Sequence, residues 1–301
     1  MSTFFKRKFI KLVEDRVKKK YFNTNTNKSW AVITGSTNGI GKAYSQLLAK
    51  VGFNLILISR NGDKLKLMEN EINKINPLVN VKSIIIDFKE DVAYDKNNYN
   101  KIKEELIGYK INLLINNVGA TSLTGNFTNN SFLTNNEQIK VNVVSNIFMT
   151  QLILESQNNS LTEDKQNKLG IINISSIFGQ RPTPGVSIYS ASKAFIKSFS
   201  LCLGFELKDY KHIDILCVCP FWVRTGMVRL KKSFFVLEPE DVVYSSLWKI
   251  GIIKLTYGNW RHSLLGICFN IIPKRLYGNY FYKYYCELYK RYVNLRNRKN
   301  K

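Results

Sequence analysis

Apolar residues in this chain form short continuous stretches, and segments long enough for a helix separate them through the first two thirds of the sequence. The stretches are Trp30–Thr34, Phe53–Ser59, Val81–Ile86, Asn112–Asn116, Gly170–Ile174 and Ile213–Val218. Continuous rather than alternating apolar character is typical of strands buried on both faces, as in a parallel sheet covered by helices. The alternation therefore predicts an α/β fold, a Rossmann-like doubly wound parallel sheet flanked by helices.

Charge divides the chain into a central domain and two basic ends. The formal net charge is +23, yet residues 1–20 hold eight basic and two acidic groups, and residues 242–301 hold twelve basic groups against Glu287 alone. We predict three parts, which are a basic extension over 1–27, a single domain over 28–262 with a substrate loop at about 226–250, and a basic extension over 263–301. Since no nucleic-acid recognition motif accompanies the charge, no nucleic-acid partner is expected.

The five cysteines and two histidines are too scattered for a zinc site, so we expect no metal. An odd number of cysteines without a framework is typical of reduced thiols in a protein that faces the cytosol. The first residues lack the apolar stretch of a signal peptide, and the longest apolar run near the C-terminus, Leu264–Ile272, has nine residues. Because about 20 residues are needed to cross a bilayer, no transmembrane helix is expected.

A glycine-rich turn, Thr34–Gly41, follows the first predicted strand and leads into a helix predicted from about Lys42 to Val51. Glycines in such a turn let the backbone approach a pyrophosphate, and the helix N-terminus presents free N–H groups and a partial positive charge to it. The turn therefore predicts a dinucleotide site, and the alternative is a tight strand–helix turn with no ligand. Its candidate binding residues are Gly35, Asn38, Gly39, Ile40 and Gly41.

The end of the second predicted strand bears on the choice of dinucleotide. An acidic residue there would bind a ribose 2′-hydroxyl and select NAD, but Ser59 and Arg60 stand in its place. A guanidinium suits a 2′-phosphate because charge-assisted hydrogen bonds are strong. NADP is therefore predicted over NAD, and the alternative is an arginine that is merely solvated at a strand end.

Tyr189 and Lys193 lie four residues apart, so on a helix they face the same way. A phenol has a pKa of about 10, which an adjacent ammonium and a positive nicotinamide ring would lower towards neutral pH. Ser175 and Ser176 follow the preceding predicted strand, where a serine could donate a hydrogen bond to a substrate carbonyl oxygen as charge develops on it. The constellation indicates acid–base chemistry at a carbonyl group.

Together these residues resemble the short-chain dehydrogenase/reductase family over residues 28–262. The shared motifs are Thr-Gly-x-x-x-Gly-x-Gly at Thr34–Gly41, Asn-Asn-x-Gly at Asn116–Gly119 and Tyr-x-x-x-Lys at Tyr189–Lys193. The resemblance selects Ser176, thirteen residues before Tyr189, over Ser175 as the catalytic serine. It also implies that Asn142, in Lys-Val-Asn-Val, is the catalytic asparagine.

The resemblance implies a role for each of these residues. Tyr189 would be the general acid in reduction, and Lys193 would hold the ribose and lower the phenol pKa. Ser176 would polarise the carbonyl group, and Asn142 would anchor a water of the proton relay. The other implied cofactor contacts are Asp87 at the adenine ring, Asn117 of the Asn-Asn-x-Gly motif, and Val223 and Thr225 at the nicotinamide carboxamide.

The segment after Pro220 departs from the family's commoner Pro-Gly and reads Phe-Trp-Val-Arg-Thr. With Asn-Asn-Val-Gly and Gly-Ile-Gly-Lys-Ala-Tyr, it resembles the branch of very-long-chain 3-oxoacyl-CoA reductases and 17β-hydroxysteroid dehydrogenases types 3 and 12. That branch implies NADPH-dependent reduction of a hydrophobic ketone, a long-chain 3-oxoacyl-CoA that becomes a 3-hydroxyacyl-CoA in fatty-acid elongation. The alternatives are a steroid 17-keto or 17-hydroxy group and a non-catalytic NADPH-binding sensor.

The basic ends favour a membrane surface as a partner. Apolar residues recur every four positions near the N-terminus, at Phe5, Phe9, Val13 and Val17. This repeat among basic residues is typical of a helix that lies on an anionic membrane, and the tyrosines between Tyr277 and Tyr289 favour the headgroup region. Helices docked on the domain are the alternative.

The tail Arg298-Lys-Asn-Lys301 resembles an endoplasmic reticulum retrieval signal. We therefore expect attachment at the cytosolic face of that membrane or, as the alternative, a cytoplasmic enzyme. The sequence leaves a homodimer open.

Overall fold

The computed structural model describes residues 3–22, 29–90, 96–122, 125–156, 168–227, 230–231 and 233–299. Its strands are β1 Trp30–Thr34, β2 Asn54–Ser59, β3 Val81–Ile85, β4 Ile111–Asn116, β5 Leu169–Ile174, β6 Ile213–Val218 and β7 Leu255–Thr256. Within the described residues they form one parallel sheet in the order β3-β2-β1-β4-β5-β6-β7. The predicted fold class is confirmed, and the six predicted strands agree with β1–β6 to within one residue at each end. β7 has only two residues, which is too short for an apolar pattern to predict.

Helices cover both faces of the sheet. They are α1 Thr3–Tyr21, α2 Gly39–Val51, α3 Gly62–Ile75, α4 Lys96–Leu106, α5 Phe132–Ile139, α6 Ser145–Ser156, α7 Ser187–Glu206, α8 Pro239–Lys249, α9 Trp260–Ile271 and α10 Lys274–Lys299. A π-helical turn, Lys140–Val144, joins α5 to α6, and 3₁₀ turns lie at Phe127–Asn129 and Ile177–Gly179. The first core layer lies beneath α1, α2, α3 and α8, and the second beneath α4 and α6.

The continuous apolar strands are explained by these two layers. Along β2, Leu55 and Leu57 pack in the first layer, whereas Ile56 and Ile58 pack in the second. Because successive side chains of a strand point to opposite faces, a strand with both faces covered needs apolar residues at every position. All four side chains are fully buried.

The strand order reverses at β1, which pairs with β2 on one side and β4 on the other. In open parallel sheets, this reversal separates the connections beyond the carboxyl ends of the two strands and leaves a crevice there. The glycine-rich turn after β1 and the Asn-Asn-x-Gly segment after β4 therefore meet at one edge of the sheet. This edge positions the site.

The N-terminal helix α1 docks on the domain. Val13 and Val17 are buried in the first core layer, and the Arg16 guanidinium donates hydrogen bonds to the carbonyl oxygens of Trp248 and Ile250 at 3.0 and 2.8 Å. The expectation that this apolar stripe lies on a membrane is wrong for both valines, because the domain already covers them. Of the four stripe residues, Phe5 alone is exposed.

The C-terminal segment also belongs to the domain. The predicted boundary between residues 262 and 263 falls inside α9, and Tyr277 and Phe281 of α10 are buried against the segment after β5. The predicted substrate loop includes α8, and its residues 228, 229 and 232 lie outside the described residues. So do residues 1–2 and 23–27 of the predicted N-terminal extension, residue 28 of the predicted domain and residues 300–301 of the predicted C-terminal extension. Among the described residues, no helix is both long enough and apolar enough to cross a bilayer.

Candidate active site

A cavity of about 450 Å³ opens at the carboxyl edge of the sheet. It is lined by thirteen of the predicted site residues, which are Gly35, Asn38, Gly39, Ile40, Ser59, Arg60, Asp87, Asn117, Ser176, Tyr189, Lys193, Val223 and Thr225. Two predicted residues, Gly41 and Asn142, lie behind the lining. The structure thus brings together residues that are up to 190 positions apart, from Gly35 to Thr225.

The glycine-rich turn needs glycine for two different reasons. Gly35 and Gly39 have φ angles of +64° and +54°, a left-handed conformation that disfavours other residues. At Gly41 the backbone is ordinary, but a Cβ would collide with the Gly35 carbonyl oxygen and the Asn117 amide. Helix α2 begins at Gly39, three residues before the predicted start, because Asn38 is extended (φ −151°) and serves as its N-cap. The first turn of α2 therefore lines the cavity.

Asn117 fastens this turn to β4. Its backbone N–H donates to Thr34 Oγ1 at 3.0 Å, and its side-chain amide donates to the carbonyl oxygens of Thr34 and Gly35 at 3.0 and 3.2 Å. Its neighbour Asn116 is buried and donates to Thr150 Oγ1 and Asn173 Oδ1, both at 2.9 Å. Asn117 lines the cavity, yet its amide N–H groups hold the turn in shape.

The cavity carries two cations at the end of β2. Arg60 and Lys64 are both exposed and both line it, and the Asn61 side chain caps α3 by accepting from the Lys64 N–H at 2.8 Å. Among the described lining residues, Asp87 is the one acid, and it accepts from the Lys89 N–H at 3.0 Å. The prediction of site residues missed Lys64. The available signal was Asn61, a residue type that favours the N-cap of a helix. A helix that begins directly after β2 places Lys64, in its first turn, close to the end of that strand.

This donor set fits a dinucleotide with a 2′-phosphate. The N-terminus of α2 and the left-handed glycine turn offer backbone N–H groups to a pyrophosphate. Arg60 and Lys64 offer positive charge at the strand end where a carboxylate would select a 2′-hydroxyl. The prediction of NADP(H) as the cofactor agrees with these residues.

Ser176, Tyr189 and Lys193 stand at the other end of the cavity. Ser176 follows β5 by two residues and caps the 3₁₀ turn Ile177–Gly179, where its Oγ accepts from the Phe178 N–H at 3.3 Å. The adjacent Ser175 is occupied, since its Oγ donates to the Lys193 carbonyl oxygen at 2.6 Å. Ser176 Oγ donates to the Pro220 carbonyl oxygen at 3.4 Å, a longer bond than that of Ser175, which holds α7 against β5. The choice of Ser176 that the resemblance implied stays a prediction.

Burial shifts the pKa values of two groups at this end of the cavity. Burial raises the pKa of the Tyr189 phenol, and a hydrogen bond with Ser176 opposes that rise. Burial lowers the pKa of the Lys193 ammonium to about 8, and its Nζ donates to the Ile174 carbonyl oxygen at 2.9 Å. Burial therefore dominates the phenol pKa in the protein without cofactor, and the expectation that Lys193 and a bound nicotinamide lower it stays a prediction. A raised pKa keeps the phenol protonated, which suits a proton donor.

Asn142 lies in the π-helical turn between α5 and α6, a type of irregularity that often marks functional sites. Its amide donates to the Ala120 carbonyl oxygen and to Ser192 Oγ, both at 2.9 Å, and accepts from the Ala120 N–H at 2.7 Å. Both amide hydrogens are thus used within the protein. The structure places Asn142 as a support for the chain around Lys193, and the water contact that the resemblance implied stays a prediction.

The segment after β6 forms one wall of the cavity. Val223 bridges to Leu237, and Thr225 lies so close to Gly39 that a Cβ there would collide with its side chain. Phe221 and Trp222 stack on each other with ring centroids 4.3 Å apart, and Trp222 reaches Tyr284 of α10 at 5.8 Å. The aromatic residues that replace the commoner Pro-Gly therefore join the C-terminal helix.

Helix α10 packs behind the substrate end of the cavity, beyond the substrate loop that the sequence predicted at about 226–250. Its Phe281 and Tyr285 rings pack on Phe178 at centroid distances of 5.4 and 6.2 Å. Burial raises the pKa of the Tyr285 phenol, and the proximity of Tyr189 raises it further. No motif marked these residues, and the recurrence of buried aromatic residues every four positions was the only signal.

Comparisons with known proteins agree with this geometry. The family model described as short chain dehydrogenase matches residues 29–234. Human very-long-chain 3-oxoacyl-CoA reductase is 36% identical over 252 residues, which cover 82% of this chain and 77% of that protein. Rat 17-beta-hydroxysteroid dehydrogenase type 3 is 39% identical over 253 residues, which cover 82% and 78%.

Solved structures extend the comparison. A short-chain dehydrogenase from Sphingobium yanoikuyae in complex with NADPH superposes with a TM-score of 0.63 at 25% identity, over 73% of this chain and 84% of that one. A 7beta-hydroxysteroid dehydrogenase has the same fold, with a TM-score of 0.75 at 20% identity over 88% and 98%. The chain belongs to the short-chain dehydrogenase/reductase family. The predicted family and the oxidoreductase class are thereby confirmed.

Proposed function

We propose that this protein is an NADPH-dependent ketone reductase that converts a long-chain 3-oxoacyl-CoA to the 3-hydroxyacyl-CoA. The observation that carries the proposal is the cavity with Ser176, Tyr189 and Lys193 at one end and Arg60 and Lys64 at the other. The mammalian relatives named very-long-chain 3-oxoacyl-CoA reductase support the substrate class.

The protein's own groups account for the acid–base part of this reaction. When bound, NADPH supplies a hydride to the carbonyl carbon of the substrate. Ser176 Oγ donates a hydrogen bond to the carbonyl oxygen as negative charge develops on it. The Tyr189 phenol, which burial keeps protonated, gives that oxygen its proton. Lys193, with a pKa of about 8, holds a proton that titrates close to neutral pH beside the phenol.

The aromatic wall suits an apolar substrate. Phe221 lines the cavity beside Ser176 and is backed by Phe178 and Phe269 at ring-centroid distances of 5.6 Å each. These rings exclude water from the reacting carbonyl, which strengthens the hydrogen bonds from Ser176 and Tyr189. The NADPH preference rests on Arg60 and Lys64, whose charges would contact a 2′-phosphate.

A second candidate is a steroid with a 17-keto group. Rat 17-beta-hydroxysteroid dehydrogenase type 3, at 39% identity, supports it, and the aromatic Phe221 at the cavity wall fits an apolar ring system. A non-catalytic NADPH sensor is less well supported, since it would not require Ser176, Tyr189 and Lys193 together.

The decisive experiment follows NADPH absorbance with three ketones in parallel, which are a long-chain 3-oxoacyl-CoA, a short-chain 3-oxoacyl-CoA and a 17-ketosteroid. We expect the highest kcat/KM with the long-chain substrate and a lower value with NADH in place of NADPH. A higher value with the steroid would establish the second candidate. Tight NADPH binding without turnover on any ketone would establish the sensor. The Tyr189→Phe variant corrects for non-enzymatic loss of NADPH.

A further inference from the structure

Helix α9 has an apolar face that the described residues leave uncovered. Trp260, Leu264, Ile267 and Ile271 follow one another at helical spacing, and their exposed fractions are 63%, 46%, 57% and 76%. The opposite face of the helix is docked, since Leu265 and Phe269 pack in the aromatic cluster around Phe178. We call the four exposed residues the α9 stripe. A helix with one docked and one exposed apolar face has two apolar surfaces, and only one has a partner among the described residues.

The α9 stripe has apolar neighbours at both ends. At its start, the Phe234 ring, 53% exposed, lies 5.7 Å from the Trp260 ring. At its end, Ile272 in the connection to α10 and Leu276 in the first turn of α10 are exposed. Isolated exposed apolar residues are normal on a soluble protein, but a continuous set of this kind marks an interaction surface.

The charge around the stripe indicates which partner it fits. Lys274 and Arg275 at the start of α10 and Lys283 further along it are exposed, and none of them has an ion-pair partner in the described part of the chain. No aspartate or glutamate occurs between residues 260 and 286. An apolar stripe that begins with a tryptophan and is followed by cations is the pattern of a helix that lies in the interface of an anionic membrane.

The length of α9 agrees with an in-plane position. Twelve residues of helix extend about 18 Å, whereas the hydrocarbon core of a bilayer is about 30 Å thick. A helix of this length cannot span the core but can lie at its boundary with the stripe in the acyl region.

The position of the stripe also relates it to the cavity. On the docked side, the His262 ring accepts a hydrogen bond from the Phe221 N–H at 3.1 Å, and Phe221 lines the cavity. Since a helix with its side chains is about 10–12 Å across, the stripe lies roughly one helix diameter from the cavity wall. The half-exposed Met227 lines the same cavity.

We propose that the α9 stripe is a membrane-docking surface that binds anionic lipid and holds the substrate end of the cavity at the lipid interface. The surface differs from the N-terminal stripe that the sequence favoured, whose valines are buried in the domain. The proposal does not depend on which ketone is reduced, because it concerns binding to vesicles.

The test is co-sedimentation of the full chain with vesicles of phosphatidylcholine alone and of phosphatidylcholine with phosphatidylserine. We expect binding to the anionic vesicles, which high salt weakens but does not abolish. The Ile267→Ser/Ile271→Ser variant should lose at least about 10-fold in partitioning, because two exposed apolar side chains no longer enter the lipid. The matched control is Leu78→Ser, which removes an 89% exposed leucine at the α3–β3 connection and should bind like wild type.

A second readout reports depth. Lipids with brominated acyl chains should quench part of the tryptophan fluorescence of the wild type, and Trp260→Phe should remove that part. Equal thermal unfolding midpoints for wild type and variants would show that the fold is retained. The expected pattern in both assays supports the α9 stripe.

Three outcomes would overturn the proposal. The first is wild type that stays in the supernatant with every vesicle. The second is binding that Ile267→Ser/Ile271→Ser leaves intact while Lys274→Gln/Arg275→Gln abolishes it, which would show attraction by charge alone. The third is self-association without lipid that Ile267→Ser/Ile271→Ser abolishes, together with no gain in binding to anionic vesicles, which would assign the face to a second copy of this chain.

Discussion

The two ends of the cavity are built in opposite ways. At the nucleotide end, the backbone of one short turn forms the surface, and the side chains that complete it, Arg60 and Lys64, are exposed. At the catalytic end, the surface consists of buried side chains from separate segments, with Lys193 only 4% exposed and Ser176 5%. The difference teaches that the nucleotide end needs room around its backbone, whereas the catalytic end needs particular polar atoms. A substitution that adds volume should therefore weaken NADPH binding, and one that removes a single polar atom should reduce turnover.

The largest effect is expected from Tyr189→Phe, which removes one oxygen at the catalytic end. Turnover should fall by at least ~10²-fold because the proton donor is lost, while NADPH affinity should stay close to that of wild type. The measurements are kcat with the best ketone and the NADPH dissociation constant from fluorescence. Tyr44→Phe is the matched control, since it also removes a buried phenol oxygen, which is bonded to Ser246, and neither residue lines the cavity. Near-normal turnover in Tyr189→Phe would remove Tyr189 from its assigned role.

The burial of Lys193 predicts a pH dependence of stability in the protein without cofactor. Unfolded, this lysine keeps its proton up to pH 10.5, whereas folded it releases it near pH 8. Between these values the unfolded state binds more protons, so the wild type gains stability as pH rises, by up to about 3 kcal/mol. Lys193→Met cannot titrate, so its free energy of unfolding relative to wild type should fall over the same range.

Urea unfolding of both proteins from pH 7 to pH 10.5 measures this difference, because the other titrating groups cancel. A difference that does not change with pH would mean that Lys193 keeps its proton in the folded protein over the same pH range as in the unfolded chain.

A smaller effect is expected from added volume at the nucleotide end. In Gly41→Ala the new Cβ would press on the Gly35 carbonyl oxygen and the Asn117 amide and displace the turn. Overpacking of this kind costs about 1–3 kcal/mol, so NADPH affinity should fall by about 10-fold. Gly278→Ala is the control, because its Cβ would meet only Pro184 at 3.9 Å. Titration of both variants with NADPH would show whether Gly41 is required, and equal affinities would contradict the close packing.

The smallest effect is expected from the exposed cations. Arg60→Ala and Lys64→Ala should each weaken NADPH about 5-fold relative to NADH, because exposed charges are screened and each supplies part of the attraction. Lys66→Ala is the control, since this exposed lysine of α3 does not line the cavity. Dissociation constants for both cofactors provide the comparison. An unchanged preference in both variants would remove the 2′-phosphate assignment.

Much of the site was readable from the sequence because its signals are local. The left-handed Gly35 and Gly39 follow a strand directly, and Tyr189 and Lys193 face the same way because they are four residues apart on one helix. The sheet was predictable for a similar reason, since burial on both faces requires apolar residues at successive positions of a strand. Such patterns need no knowledge of what lies across the sheet.

Tertiary structure decided the properties that depend on contacts between distant segments. Sequence placed an apolar stripe at Phe5–Val17, and only the docking of α1 shows that its valines are covered while the α9 stripe is exposed. The pKa of Tyr189 in the protein without cofactor is raised by burial among segments that are distant in the sequence, which the spacing of Tyr189 and Lys193 on one helix does not show. Periodicity shows that a helix has an apolar face. What covers that face, and how much water reaches a charged group, follow only from the packing of the whole chain.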